Sequence, residues 1–190
     1  MRSGLRVAGL AGTAVVAMLI APTAQATLLD GQTINYQYYY PNLLSPYGFA
    51  DNGNKLVGAG VEVNNVADNM ATLDISDTNL SVDYINDSLW SSGLGPFNGF
   101  VINDVFGTIP SFTSVSVNPT TNLVGFTPAN ITFNANDIFV NWQGLDFDAD
   151  TIVSIDINGS IVVPEPTTLS LLGAGLAGLA VIRRRRKAKA

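Results

Sequence analysis

The sequence predicts an all-β body, an antiparallel β-sandwich of jelly-roll type, set between an apolar leader and an apolar tail. Three observations predict it. Apolar and polar residues alternate with period two in short runs, which gives each strand one buried and one wet face, as in antiparallel sheets. Clusters of turn-forming residues separate these runs about every 8–12 residues, the spacing of a sandwich or jelly roll. No long stretch of the body repeats with the helical period, and no internal repeat appears.

The elements follow in chain order. Met1–Ala26 reads as a secretory signal peptide: Arg2 and Arg6 supply a positive start, Val7–Ala21 is apolar, and Ala24-Gln25-Ala26 supplies the small-x-small cleavage pattern. Arg2 and Arg6 are not adjacent, so the general secretory route fits better than the twin-arginine one. A cut after Ala26 leaves a body of 137 residues, Thr27–Val163, a single-domain size. Within it, Ile34, Tyr36, Tyr38 and Tyr40 alternate with Asn35, Gln37 and Tyr39. Shorter alternations follow at Val61–Val63, Leu73–Ile75, Leu80–Tyr84, Thr113–Val117, Val140–Trp142 and Val153–Ile157. Turn-formers lie between them at Asp51-Asn52-Gly53-Asn54, Ser91-Ser92-Gly93, Gly95-Pro96, Asn118-Pro119 and Asn158-Gly159. Val66–Ala71 is the one stretch read as a short helical turn.

Composition removes whole classes of chemistry. The chain has no histidine and no cysteine. Zinc sites built on those residues, Ser-His-Asp triads and Cys-His pairs are therefore excluded, as are disulfides. Lys55 is the single basic residue of the body against fourteen acidic ones, a body charge near −13. Such a surface repels nucleic acid and anionic headgroups and favours neutral or cationic partners. The expectation is a protein without catalysis. A carboxylate-based glycan hydrolase is the enzyme class that composition leaves open.

Two groups in the body are candidate binding sites. Asp146, Asp148 and Asp150 stand at alternate positions, and a turn would gather them around calcium, a cation that takes six to eight oxygens. The EF-hand pattern is absent, with Thr151 and Ile157 where glycine and glutamate would stand. The competing reading is a solvated acidic strand edge that discourages edge pairing. Tyr36, Tyr38, Tyr39, Tyr40, Tyr47 and Phe49 form the second group, either a platform for stacking sugars or a core face. Asn79, Asn86, Asn130 and Asn158 head Asn-x-Ser/Thr triplets, unremarkable in a chain with 18 asparagines.

The last residues are the most specific. Val163-Pro164-Glu165-Pro166 and two threonines precede the uncharged run Leu169–Ile182, which Arg183, Arg184, Arg185 and Arg186 close. Fourteen helical residues span about 21 Å, short of the roughly 30 Å hydrocarbon core. The arginines can snorkel to headgroups and mark the cytoplasmic side as a stop-transfer signal. Pro164 and Pro166 exclude a helix interior and separate body from anchor. In motif, order and position, residues 164–190 resemble the PEP-CTERM sorting signal of Gram-negative bacteria. The resemblance implies export through the inner membrane, transient anchoring by the C-terminal helix, and recognition around Pro164–Pro166 by an exosortase-type membrane transpeptidase. It further implies a cell-surface or extracellular destination among exopolysaccharide or biofilm. The strand pattern between the two signals is similar to the β-sandwich bodies attached to such tails, a likeness that carries no activity with it. A carbohydrate- or calcium-dependent adhesion module is the alternative function.

Overall fold

Twelve strands make up three antiparallel sheets among the described residues, and the chain passes repeatedly between the two large ones. The computed structural model describes residues 27–159. The leader with its Ala24–Ala26 cleavage site, the Val163–Pro166 motif, the apolar run and Arg183–Arg186 lie outside them. The first sheet has the order β2-β1-β7-β10-β9: β1 Thr33–Tyr39, β2 Gly53–Leu56, β7 Gly99–Asn103, β9 Ile131–Phe133 and β10 Asp137–Asn141. The second has the order β3-β4-β5-β12-β8: β3 Val61–Val63, β4 Ala71–Ser76, β5 Asn79–Tyr84, β8 Phe112–Val117 and β12 Ile152–Gly159. A two-stranded ribbon pairs β6 Ser88–Leu89 with β11 Asp146–Phe147.

Period two decides which side chains meet. Ile34, Tyr36 and Tyr38 of β1, Phe100 and Ile102 of β7, and Ile138 and Val140 of β10 are buried. So are Leu73 and Ile75 of β4, Leu80, Val82 and Tyr84 of β5, and Val153, Ile155 and Ile157 of β12. All belong to one core cluster, so the two sheets share a single interior, the arrangement a sandwich requires. Among the described residues no helix is long and apolar enough to cross a membrane.

The centre of that core is aromatic and wired with hydrogen bonds. Trp90 and Trp142 stack at 5.2 Å between ring centroids and 10° between planes. Trp142 Nε1 donates to the Tyr38 hydroxyl at 2.8 Å, which donates to Asn98 Oδ1 at 2.8 Å, and Asn98 Nδ2 donates to the Ser91 carbonyl at 3.1 Å. Trp90 Nε1 donates to the Tyr84 hydroxyl at 2.9 Å. Every buried polar tip therefore has a partner, which is what permits Trp and Tyr in a core without disulfides.

With one lysine available, the carboxylates find other partners. Lys55 pairs with Asp51 at 2.6 Å, the one ion pair among the described residues. Elsewhere carboxylates accept from backbone N–H groups. Asp77 Oδ1 takes Leu28, Leu29 and Asp30 at 2.5, 3.0 and 3.3 Å. Asp104 takes Thr108 and Ile109, and Glu62 takes Gly58 and Ile75. Acidic side chains thus serve as loop braces, and Asp77 pins the segment that directly follows the predicted cleavage site.

Several local expectations are corrected. Gly53 and Asn54, read as turn residues, lie inside β2, because the turn closes earlier and their backbone pairs with Asn35 and Tyr36. Asn158 and Gly159 likewise continue β12, where a register shift against β8 turns Phe112 inward and leaves Thr113 exposed. Val66–Ala71 contains no helical turn: Asp68 and Asn69 take φ of 52° and 55°, the left-handed region that Asp and Asn tolerate best. The strands β2, β6, β9 and β11 are short and were not distinguishable by alternation.

Candidate functional site

The tyrosine run of β1 divides by parity. Tyr36 and Tyr38 face inward and are fully enclosed, so they fill the core and offer no stacking platform. Burial pushes the hydroxyls of Tyr36, Tyr38 and Tyr84 above the ordinary tyrosine range, since a phenolate has no water there. Tyr40 and Tyr47 lie beyond the strand end, half-buried and edge to face at 6.1 Å. The Tyr47 hydroxyl donates to both Asp68 oxygens at 2.9 Å. Partial burial, and then that carboxylate, push Tyr47 up to about 12. Phe49 is exposed. Tyr40, Tyr47, Asp68 and Trp90 line a pocket of about 170 Å³, in which the Tyr40 and Tyr47 hydroxyls are already engaged with Ser91 and Asp68.

Tyr39 alone of the β1 tyrosines looks outward, and the sheet gives it neighbours. Register places Asn35 opposite Asn103 and Asn103 opposite Asp137, with Asn54 flanking Asn35. The next outward row is Gln37, Val101 and Phe139, and the next is Tyr39, Gly99 and Asn141. Asn35, Gln37, Tyr39, Val101, Asn103, Asp137 and Phe139 of these rows, together with Leu43 from the loop after β1, line a groove of about 250 Å³ across the middle three strands. Val101, 7% exposed, is its floor. Asn35 Nδ2 donates to Asn54 Oδ1 at 2.9 Å, and Asn103 Nδ2 donates to Asp137 Oδ1. Gly99, between Tyr39 and Asn141 in register, is buried against β10. A Cβ there would run into the Val140 carbonyl, so the close approach of β7 and β10 requires glycine.

Reading the sequence alone missed most of this face. It found Tyr39, Asn35 and Gln37 but not Phe139, Asn103 or Asp137. The available signal was the alternation Asp137, Phe139, Asn141 opposite Ile138 and Val140, half of which was read.

Asp146, Asp148 and Asp150 are exposed and border an open depression of about 460 Å³ together with Asn122 and Thr151. Asp146 lies in the ribbon opposite Leu89. Asp148 Oδ1 accepts from the Thr151 hydroxyl at 2.7 Å and from Asp150 N at 3.1 Å, so this carboxylate closes its own turn. Among the described residues no three His, Cys, Asp or Glu side chains form a group that could hold a metal ion. The four Asn-x-Ser/Thr asparagines include Asn79 and Asn130, whose amides are engaged with Asp156 and with the Asn141 carbonyl.

The body thus offers a surface groove and an acidic turn. The remaining functional signal is in the tail, and there a family comparison decides. Residues 162–186 match the family description "PEP-CTERM protein-sorting motif". The chain carries a PEP-CTERM sorting motif. The match takes in Val163, Pro164, Glu165, Pro166, the apolar run and Arg183–Arg186, as the spacing led one to expect. Such a motif is the recognition signal of exosortase, and it implies export and membrane-associated processing in a Gram-negative bacterium. No curated protein and no solved structure matches the chain.

Proposed function

We propose that this is an exported protein without catalytic activity, sorted by an exosortase-type membrane transpeptidase and delivered to the cell surface or extracellular matrix among exopolysaccharide. Leu169–Ile182 holds it in the inner membrane, Arg183–Arg186 stop transfer, and processing takes place around Pro164–Pro166. The observation that carries this reading is the sorting motif at residues 162–186, which follows closely in sequence on the end of β12 at Gly159. The polarity of the chain agrees: a leader, an acidic body and a cationic end, in the order that export requires. The non-catalytic reading is supported by the absence of histidine and cysteine from the sequence. It is further supported by the carboxylates of Asp77, Asp104 and Glu62, which are engaged in bracing backbone N–H groups.

The test is a double substitution, Pro164→Ala with Pro166→Ala, expressed in the native host. The body is expected to fold as before while the tail stays attached, because the extended dipeptide that presents the backbone is lost. An unchanged mature mass would reject the sorting reading.

A further inference from the structure

We propose that the outer face of the first sheet is a binding groove for a neutral polysaccharide, with Tyr39 and Phe139 as stacking rings and Asn35, Gln37 and Asn103 as hydroxyl partners. This names a ligand class and a place for the matrix association proposed above, and rests on it.

Three properties of the face specify the ligand. The first is its rings. Tyr39 and Phe139 project from strands two apart and one row offset, so their Cα atoms are roughly 12 Å from each other by strand spacing and rise. That separation exceeds one sugar ring and suits a chain. The groove between them has an apolar floor at Val101. Sugar rings present apolar C–H faces, which aromatic rings cover while the hydroxyls stay in reach of polar neighbours.

The second property is the valence of the polar groups. A sugar hydroxyl both donates and accepts, and a carboxamide is the side chain that offers both in fixed geometry. Asn35 and Asn103 each use one N–H across the sheet, and Gln37 Nε2 donates to the Tyr38 carbonyl at 3.2 Å. Their side-chain oxygens and the Tyr39 hydroxyl have no hydrogen-bond partner among the described residues. The internal bonds orient the amides, and the open oxygens point to a donor-rich ligand.

The third is charge. Among the described residues, Asp137 is the one acidic side chain lining the groove, no basic side chain lines it, and Lys55 is engaged with Asp51. With a body charge near −13, acidic polysaccharides and nucleic acids are repelled. A peptide adding as a strand needs a sheet edge, and the edges here are β2 and β9, whereas the groove crosses β1, β7 and β10.

The full-length protein, purified in a detergent without sugar headgroups, is run in native gels that contain dextran, mannan, β-1,3-glucan or alginate. At least one neutral polysaccharide should retard the wild type. Tyr39→Ala and Phe139→Ala should each weaken that retardation tenfold or more, Asn103→Ala less, and Ser81→Ala on the opposite sheet not at all. Melting curves of each variant separate lost binding from lost folding. Equal retardation of wild type, Tyr39→Ala and Phe139→Ala would overturn the groove, as would retardation by alginate alone or by nothing. Fractionation of the native host reports the underlying reading separately. Wild type and Tyr39→Ala both in the matrix would overturn the groove and keep matrix association, whereas wild type absent from the matrix would overturn the association itself.

Discussion

The two large sheets bury similar residues inward and differ in what they show to solvent. On the second sheet hydroxyls, carboxylates and amides satisfy one another. Asn79 Nδ2 donates to Ser154 Oγ and Asp156 Oδ1 at 2.9 Å, and Asn118 Nδ2 donates to both Asp156 oxygens at 2.9 Å. The loop after β8 closes over them, with Thr121 Oγ1 donating to the Ser154 carbonyl at 2.8 Å. On the first sheet the outer residues are rings and amides with open acceptors around an uncovered groove. Burial constrains inward positions in both sheets alike, so the outward positions are where the faces are free to diverge. One face is finished by its own chain, and the other keeps open acceptors.

The largest expected effect removes what the two faces share. Trp142 lies under both, stacked on Trp90 and bonded to Tyr38. Trp142→Ala should cost about 3–5 kcal/mol, the usual range for a buried aromatic truncated to alanine. It also leaves the Tyr38 hydroxyl without its donor. The check is a denaturant midpoint, and a shift small enough to be a surface effect would mean that the aromatic relay is not central.

Alkali should act next, and again on the shared core. A tyrosine whose folded pKa is raised is held neutral in the folded state. Its contribution is fully present below the unfolded value near 10 and is lost as pH climbs through the folded value. Tyr36, Tyr38 and Tyr84 are raised by burial, and Tyr47 to about 12. Stability should therefore begin to fall above about pH 10, by about 1.4 kcal/mol per pH unit for each tyrosine held neutral. Melting followed together with tyrosinate absorbance checks this. Ionisation of the core tyrosines before unfolding would contradict it.

The faces themselves are separated by a pair of smaller changes. Asp156→Ala on the second sheet leaves the Asn118 amide without its carboxylate acceptor and the Asn79 amide with Ser154 Oγ alone, and should cost about 1–3 kcal/mol, with glycan retardation unchanged. Tyr39→Ala on the first should cost about 1 kcal/mol or less, the scale of one cross-strand pair, and remove retardation. The reverse pattern would mean that the groove is structural and the second face functional.

Ions give the smallest effect. Screening of a body near −13 should raise the melting temperature slightly as salt rises from low values, over a Debye length of about 10 Å at 0.1 M. Calcium and magnesium at equal ionic strength should act alike, because Asp148 already closes its turn with Thr151. A specific calcium shift of about 2.7 kcal/mol at a hundredfold excess over Kd would restore the acidic cluster as a metal site.

The comparison also explains what could be read in the sequence. The inward half of each long strand was legible, because burial writes itself as alternation at Ile34, Tyr36 and Tyr38 or at Val153, Ile155 and Ile157. The tail was legible because its function depends on a contiguous order of residues. The groove was only partly legible. Asn35, Asn103 and Asp137 are 68 and 34 residues apart, and only the sheet register makes them a row. The division of the tyrosine run was likewise hidden, since Tyr36 and Tyr39 have the same chemistry and differ in parity. Gly53 and Asn54 misled because turn-forming types occupy an edge strand whose pairing is set by β1.

Both ends of the chain are read at once by the intact mass of the protein recovered from the native host. The expected species begins at Thr27 and has lost the segment Leu169–Ala190 through processing around Pro164–Pro166. A recovered mass that still includes Leu169–Ala190 would contradict it.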